Sequence, residues 1–123
     1  MERYLDEEQL KTSLRLGKSI EQWLSINNVD DYNVIKWLII KKEKEEVYNV
    51  AYIESFDEGS QDFIDIYEFS TIDPDEPYGI INTFNSIEEA LEFSIITYGA
   101  SSDRFVSTGM IQEEYRDYSN FRT

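Results

Sequence analysis

The chain contains no cysteine and no histidine. The first absence excludes disulfides, thiolate metal sites and cysteine nucleophiles together. The second removes the side chain most often used as a general base near neutral pH and as a metal ligand. No Gly-x-Ser-x-Gly occurs, so a serine nucleophile would have neither its elbow nor its base. Gly17, Gly59, Gly79, Gly99 and Gly109 are too scattered to build a phosphate-cradling loop. No apolar run approaches the ~18 residues that a membrane span requires. The opening Met-Glu-Arg-Tyr-Leu-Asp-Glu-Glu lacks the basic and apolar regions of a signal peptide. The expectation is a soluble, cytoplasmic, non-enzymatic protein that needs no cofactor and has no membrane partner.

Basic residues are the next scarcity. The chain has 26 acids against 11 bases, a formal net charge of −15. From Glu45 to Asp103 there are 15 acids and not one Lys or Arg, so the remainder is neutral and the excess lies wholly mid-chain. Such a surface repels phosphates and anionic membranes, which argues against direct nucleic-acid binding. It attracts basic partners and speeds their encounter at low salt. Lys36, Lys41, Lys42 and Lys44 form one basic cluster, read as a solubility device at a hairpin.

What is abundant argues for a folded chain. Hydrophobic residues make up 41%, with nine Tyr, seven Phe and two Trp, unlike a disordered acidic tail. A length of 123 residues suits one domain over residues 1–123. The clearest local signal runs from Gly79 to Gly99. Gly79–Phe84 reads as a strand. Ser86 with Glu89 three residues later has capping-box spacing. Ile87, Ala90, Leu91, Ile95 and Tyr98 then recur at helical intervals before Gly99, a C-terminal stop. Phe93 and Ile96 fall outside that arc, either under the C-terminal segment or in a partner-binding patch.

Upstream, Asp6 caps a helix with Gln9 at its third position. Leu10, Leu14, Gly17, Ile20 and Leu24 continue one face, which predicts about five helical turns ending near Asn27-Asn28. Gly17, inside the apolar stripe, is expected to admit a close backbone neighbour. Strands are predicted over 32–41, 47–55 and 62–70. The first is apolar on both faces at Trp37-Leu38-Ile39-Ile40. Charged or glycine-bearing turns separate them, and Gly59 is available for a positive φ. Beyond Gly99, a helical turn or a strand over 104–107 precedes a short helix over 110–118. Short turns between strands favour an antiparallel meander. The predicted fold is therefore α+β: an N-terminal helix, a four-stranded mainly antiparallel sheet, a C-terminal helix and a short helical segment, with the helices on one sheet face. The opposite face, rich in Tyr and acids, is the expected working surface.

Paired carboxylates are the one chemical motif in quantity. Asp57, Glu58 and Asp62, and Asp73, Asp75 and Glu76, lack EF-hand spacing. With 26 acids, adjacency by chance makes a solvated surface the expected reading, and weak cation binding the minor one. Tyr among carboxylates is also what a protein-binding face offers. The candidate partner-binding residues are Glu54, Asp57, Glu58, Asp62, Asp65, Tyr67, Glu68, Asp73, Asp75, Glu76, Phe93 and Ile96.

Together these features suggest a small acidic binding module that captures a basic protein. In general character it resembles the small acidic bacterial immunity proteins that neutralise nuclease toxins, although no motif is shared and no residue role is carried over. That resemblance implies an acidic face blocking a toxin's basic groove. The alternatives are a nucleic-acid mimic acting on a DNA-binding protein, a structural subunit or weak homo-oligomer contacting through Phe93, Ile96 and C-terminal aromatics, and a carboxylate-based metal-binding protein.

Overall fold

The computed structural model describes residues 3–60 and 62–118. Helix α1 (Glu7–Arg15) begins as expected: the Asp6 side chain accepts from the Gln9 amide, and the Gln9 side chain accepts from the Asp6 amide. It is far shorter than the apolar spacing predicts. Gly17 takes φ +84°, a left-handed conformation that ends the helix, and a Cβ there would meet nothing within 4 Å. The expected close approach at Gly17 is therefore absent.

The chain instead turns into strand β1 (Ile20–Val29), so Ile20 and Leu24 belong to a strand and not to a helix. Strands β2 (Tyr32–Lys44), β3 (Val47–Phe56) and β4 (Ile80–Phe84) follow, with β5 (Val106–Ser107) near the end. Helix α2 (Ile87–Tyr98) sits between β4 and β5, and α3 (Ile111–Tyr118) closes the described chain. The sheet order is β4-β3-β2-β1-β5, and every pairing is antiparallel. The α+β architecture with an N-terminal helix, antiparallel sheet and two C-terminal helices is as expected, with five strands among the described residues in place of four.

The predicted strand at 62–70 is a different object. It forms part of a long connector, residues 57–79, with one 3-10 turn among its described residues, at Ile66–Glu68. Alternation there reflects two anchor points, since Ile66 and Phe69 are buried while Phe63, Tyr67 and Glu68 are exposed. Further on, Thr71 makes an isolated bridge to Ser55, so 70–72 extends the β3 edge beyond β4.

Strand β2 is apolar on both sides because both sides are covered. Leu38 and Ile40 face a core completed by Leu10 and Leu14 of α1, Val50 of β3, and Ile87 and Ala90 of α2. Ile35 and Trp37 face a second core with Trp23, Ile66, Phe69, Ile111 and Tyr115. Hence the helices are not all on one face: α1 and α2 cover one, while α3 and the connector cover the other.

Helix α2 ends as predicted, with Gly99 in the left-handed conformation at φ 73°. Its start differs in one arm: Ser86 accepts from the Glu89 amide, but the Glu89 carboxylate reaches the Asn85 amide instead of that of Ser86. Its buried positions are Ile87, Ala90 and Ser94, with Ile95 exposed. No helix among the described residues is long and apolar enough to cross a membrane.

Candidate functional site

The candidate residues fall into three places. Eight acids belong to the connector: Asp57, Glu58, Asp62, Asp65, Glu68, Asp73, Asp75 and Glu76. Glu54 stands on β3, paired with Lys36 of β2 and so on the α2 side of the sheet. Phe93 and Ile96 stand on α2.

Half of the connector carboxylates have local structural work. Asp57 accepts from the Tyr115 hydroxyl and from the Gly59 amide at 3.2 Å. Glu58 accepts from the Ser70 amide at 2.7 Å, Asp65 from the Gln112 side chain at 3.3 Å, and Asp73 from the Asp75 amide at 2.9 Å. The side chains of Asp62, Glu68, Asp75 and Glu76 make no hydrogen bond among the described residues. None of the eight enters an ion pair within that set. The same connector exposes Phe63, Tyr67 and Tyr78, the last at 78%.

The expected open sheet face is mostly filled by α3 and the connector. What stays open is a groove of about 460 Å³ beside β4, walled by Trp37, Ile39, Ala51, Ile66, Tyr78 and Ile81. Lys41 also lines it. Trp37 is 2% exposed, yet its indole Nε1 has no hydrogen-bond partner among the described residues, a rare condition for a buried donor. Trp37, Ile39 and Ile81 are not among the binding candidates read from the sequence. The doubly apolar run around Trp37 was the available signal, but it speaks of coverage on both faces and not of where coverage stops.

On the α2 side, Glu54 accepts from the Tyr52 hydroxyl at 2.7 Å, and the Tyr52 ring stacks on Tyr98 at 4.1 Å. Burial, then Glu54, pushes the Tyr52 phenol well above its ordinary value. Glu54, Asp73, Glu76 and Ile80 border a depression of about 210 Å³ there. Phe93 is half-buried against Phe84 at 4.8 Å and Tyr98 at 5.7 Å, whereas Ile96 is 74% exposed. These two residues are therefore not equivalent, and Phe93 is covered by β4 and its own helix.

Two buried carboxylates are structural anchors. Glu114 meets Arg3 and accepts from the Tyr4 hydroxyl, tying the N-terminal segment to α3. Glu21, on β1 and 1% exposed, accepts from the Gly109 amide at 2.9 Å, the Ile111 amide at 3.3 Å and the Tyr67 hydroxyl. It thereby supplies acceptors to the free amides at the start of α3. Burial raises its carboxyl above the usual range, and the three hydrogen bonds pull the other way.

No protein-family model, curated protein or solved structure matches this chain. The case for a function therefore rests on the groove, the connector and the β4 edge.

Proposed function

We propose that this protein is a non-enzymatic, acidic protein-binding module of the inhibitor or immunity type, whose connector captures a basic partner such as a nuclease toxin. One observation carries the reading. The 57–79 connector holds eight acids and no base, and the side chains of four of them make no hydrogen bond or ion pair among the described residues. Crowding like charges on one loop costs stability, and a charge that makes no internal contact returns none of it. Exposed Phe63, Tyr67 and Tyr78 on the same loop supply the aromatic area that charge-guided interfaces use for affinity.

The test compares the protein with a variant carrying Asp62→Lys, Glu68→Lys and Asp75→Lys, all exposed positions whose side chains make no hydrogen bond among the described residues. Both are immobilised and exposed to lysate of the source cell at low salt, then washed with rising salt. Screening shortens from about 10 Å at 0.1 M to about 3 Å at 1 M, so partners held by charge alone leave early. One basic protein retained to high salt by the parent and lost by the folded variant supports capture. A smear of basic proteins leaving together, or equal retention by the variant, refutes it. Release of the retained protein by duplex DNA would favour the nucleic-acid mimic.

A further inference from the structure

Strand β4 is an unprotected sheet edge. It pairs only with β3, in unbroken register from Tyr48↔Phe84 to Tyr52↔Ile80. Among the described residues nothing pairs with its outer side. Edge strands are commonly guarded by lysine, proline or a bulge, because their free N–H and C=O groups template another strand. The sequence Ile80-Ile81-Asn82-Thr83-Phe84 has no such guard. Ile80 and Ile81 are 45% and 51% exposed on opposite faces. The other edge, β5, is two residues long and is partly covered by a bridge from Tyr4.

Each face beside this edge offers a place for side chains. Toward α3 lies the apolar groove with Trp37, Ile39 and Ile81 in its walls and Lys41 at its border. Toward α2 lies a depression of about 380 Å³ formed by Phe84, Phe93 and Ile96 together with Glu89 and Glu92. An added strand sends successive side chains to opposite faces. Charge complementarity assigns them: apolar residues to the groove bordered by Lys41, basic residues to the side of Glu89 and Glu92.

We propose that the outer edge of β4 is a strand-addition site for an extended segment of a partner protein in which Lys or Arg alternates with apolar residues. The proposal deepens the capture reading and rests on it for the partner's basic character. Main-chain bonds would give affinity and the two faces specificity, as in other strand-addition complexes. A second copy of this chain fits less well, since edge pairing would juxtapose two chains of formal charge −15.

The probe is an acetylated, amidated ten-residue peptide alternating Lys and Val; the control is the same peptide N-methylated throughout, which cannot donate main-chain bonds. Amide hydrogen exchange is followed on the full chain. The outward amides of Ile80–Phe84 should slow at least tenfold with the peptide, and not with the control. Ile81→Lys, an exposed change that guards the edge, should abolish the effect. No slowing at millimolar peptide, or equal slowing with the control, overturns the proposal. Slowing that appears without peptide and grows with protein concentration assigns the edge to self-association and overturns it too. Because the peptide assay uses no cellular partner, a protected edge with failed capture, or the reverse, separates the two readings.

Discussion

Gly59→Ala should be among the most damaging single-methyl additions in this protein. A Cβ at Gly59 would lie 2.1 Å from the Tyr115 hydroxyl oxygen, 2.7 Å from Tyr115 Cζ and 2.8 Å from Phe69 Cζ. The closest of these is about 1.3 Å short of ordinary van der Waals contact. Tyr115 cannot simply withdraw. It is fully buried, its ring packs on Phe69 at 5.3 Å and Trp23 at 6.0 Å, and its hydroxyl donates to Asp57. Overpacking a dense core costs about 1–3 kcal/mol. If the ring retreats, the bond to the Asp57 carboxylate goes as well, worth about 1.5–3 kcal/mol. Allowing for overlap, we expect a loss of about 2–4 kcal/mol, a large share of a typical domain's 5–15 kcal/mol. Urea unfolding at neutral pH measures it, with Tyr115→Phe and the double variant completing a cycle. Removing the hydroxyl relieves the tightest contact, so the double variant should be at least ~1 kcal/mol more stable than additivity predicts. A Gly59→Ala cost under about 0.5 kcal/mol, or an additive cycle, would refute the packing argument.

Three further outcomes follow from the same structure. Glu21 has its folded pKa raised by burial above the ordinary 4.5, so its contribution is fully present below that value and is lost as pH rises through the folded pKa. The stability of the parent minus that of Glu21→Gln should therefore fall as pH rises above about 4.5 in denaturant titrations, and a flat difference would contradict the assigned burial. Gly17→Ala should cost about 1 kcal/mol through its positive φ alone, while Gly17→Asn, which tolerates that conformation, should cost less; equal thermal shifts would rule out backbone strain as the cause. Leu38→Ala, fully buried in the α1–α2 core, should cost about 2–5 kcal/mol, and Leu91→Ala, only partly buried, clearly less; the reverse order in chemical unfolding would mean that the core is misplaced.

The two glycines show how far local pattern carried. From the sequence, Gly17 was assigned to a close approach and Gly59 to a positive φ. In the structure it is Gly17 that has the positive φ with empty space around it, and Gly59 that meets the Tyr115 ring. The exchange has one cause. Leu10, Leu14, Ile20 and Leu24 keep helical spacing across a real boundary, because α1 and β1 both contribute to the core on the α2 side of the sheet. Periodicity reports which residues are buried together, not which backbone carries them. Capping was more legible, since Asp6–Gln9 and Ser86–Glu89 act within four residues and no distant contact overrides them. The 62–70 segment misread for the opposite reason: its alternation is genuine, but it reflects Ile66 and Phe69 plugging a core from a loop.

Coverage of both sheet faces changes where binding can occur. A four-stranded sheet with every helix on one side would leave a broad acidic and aromatic face, and charge alone could define a docking surface. Here α3 and the connector occupy most of that face by packing Ile111, Tyr115, Ile66 and Phe69 against Trp23 and Trp37 of the sheet, so those aromatics are committed to packing. Eight of the fifteen mid-chain acids are carried on the connector, and of the fifteen Glu54 alone stands on a described strand. That element ends at β4, the one strand whose outer side has no partner among the described residues. At its end, Asp73 and Glu76 border Ile80 of β4, so a partner drawn there would arrive beside the main-chain donors and acceptors of Ile80–Phe84 that are unpaired among the described residues. Long-range attraction and short-range pairing thus meet at one border of the molecule. Salt should weaken the first and leave the second, so the salt dependence of any captured partner would report how much of its binding lies on the connector and how much on the edge.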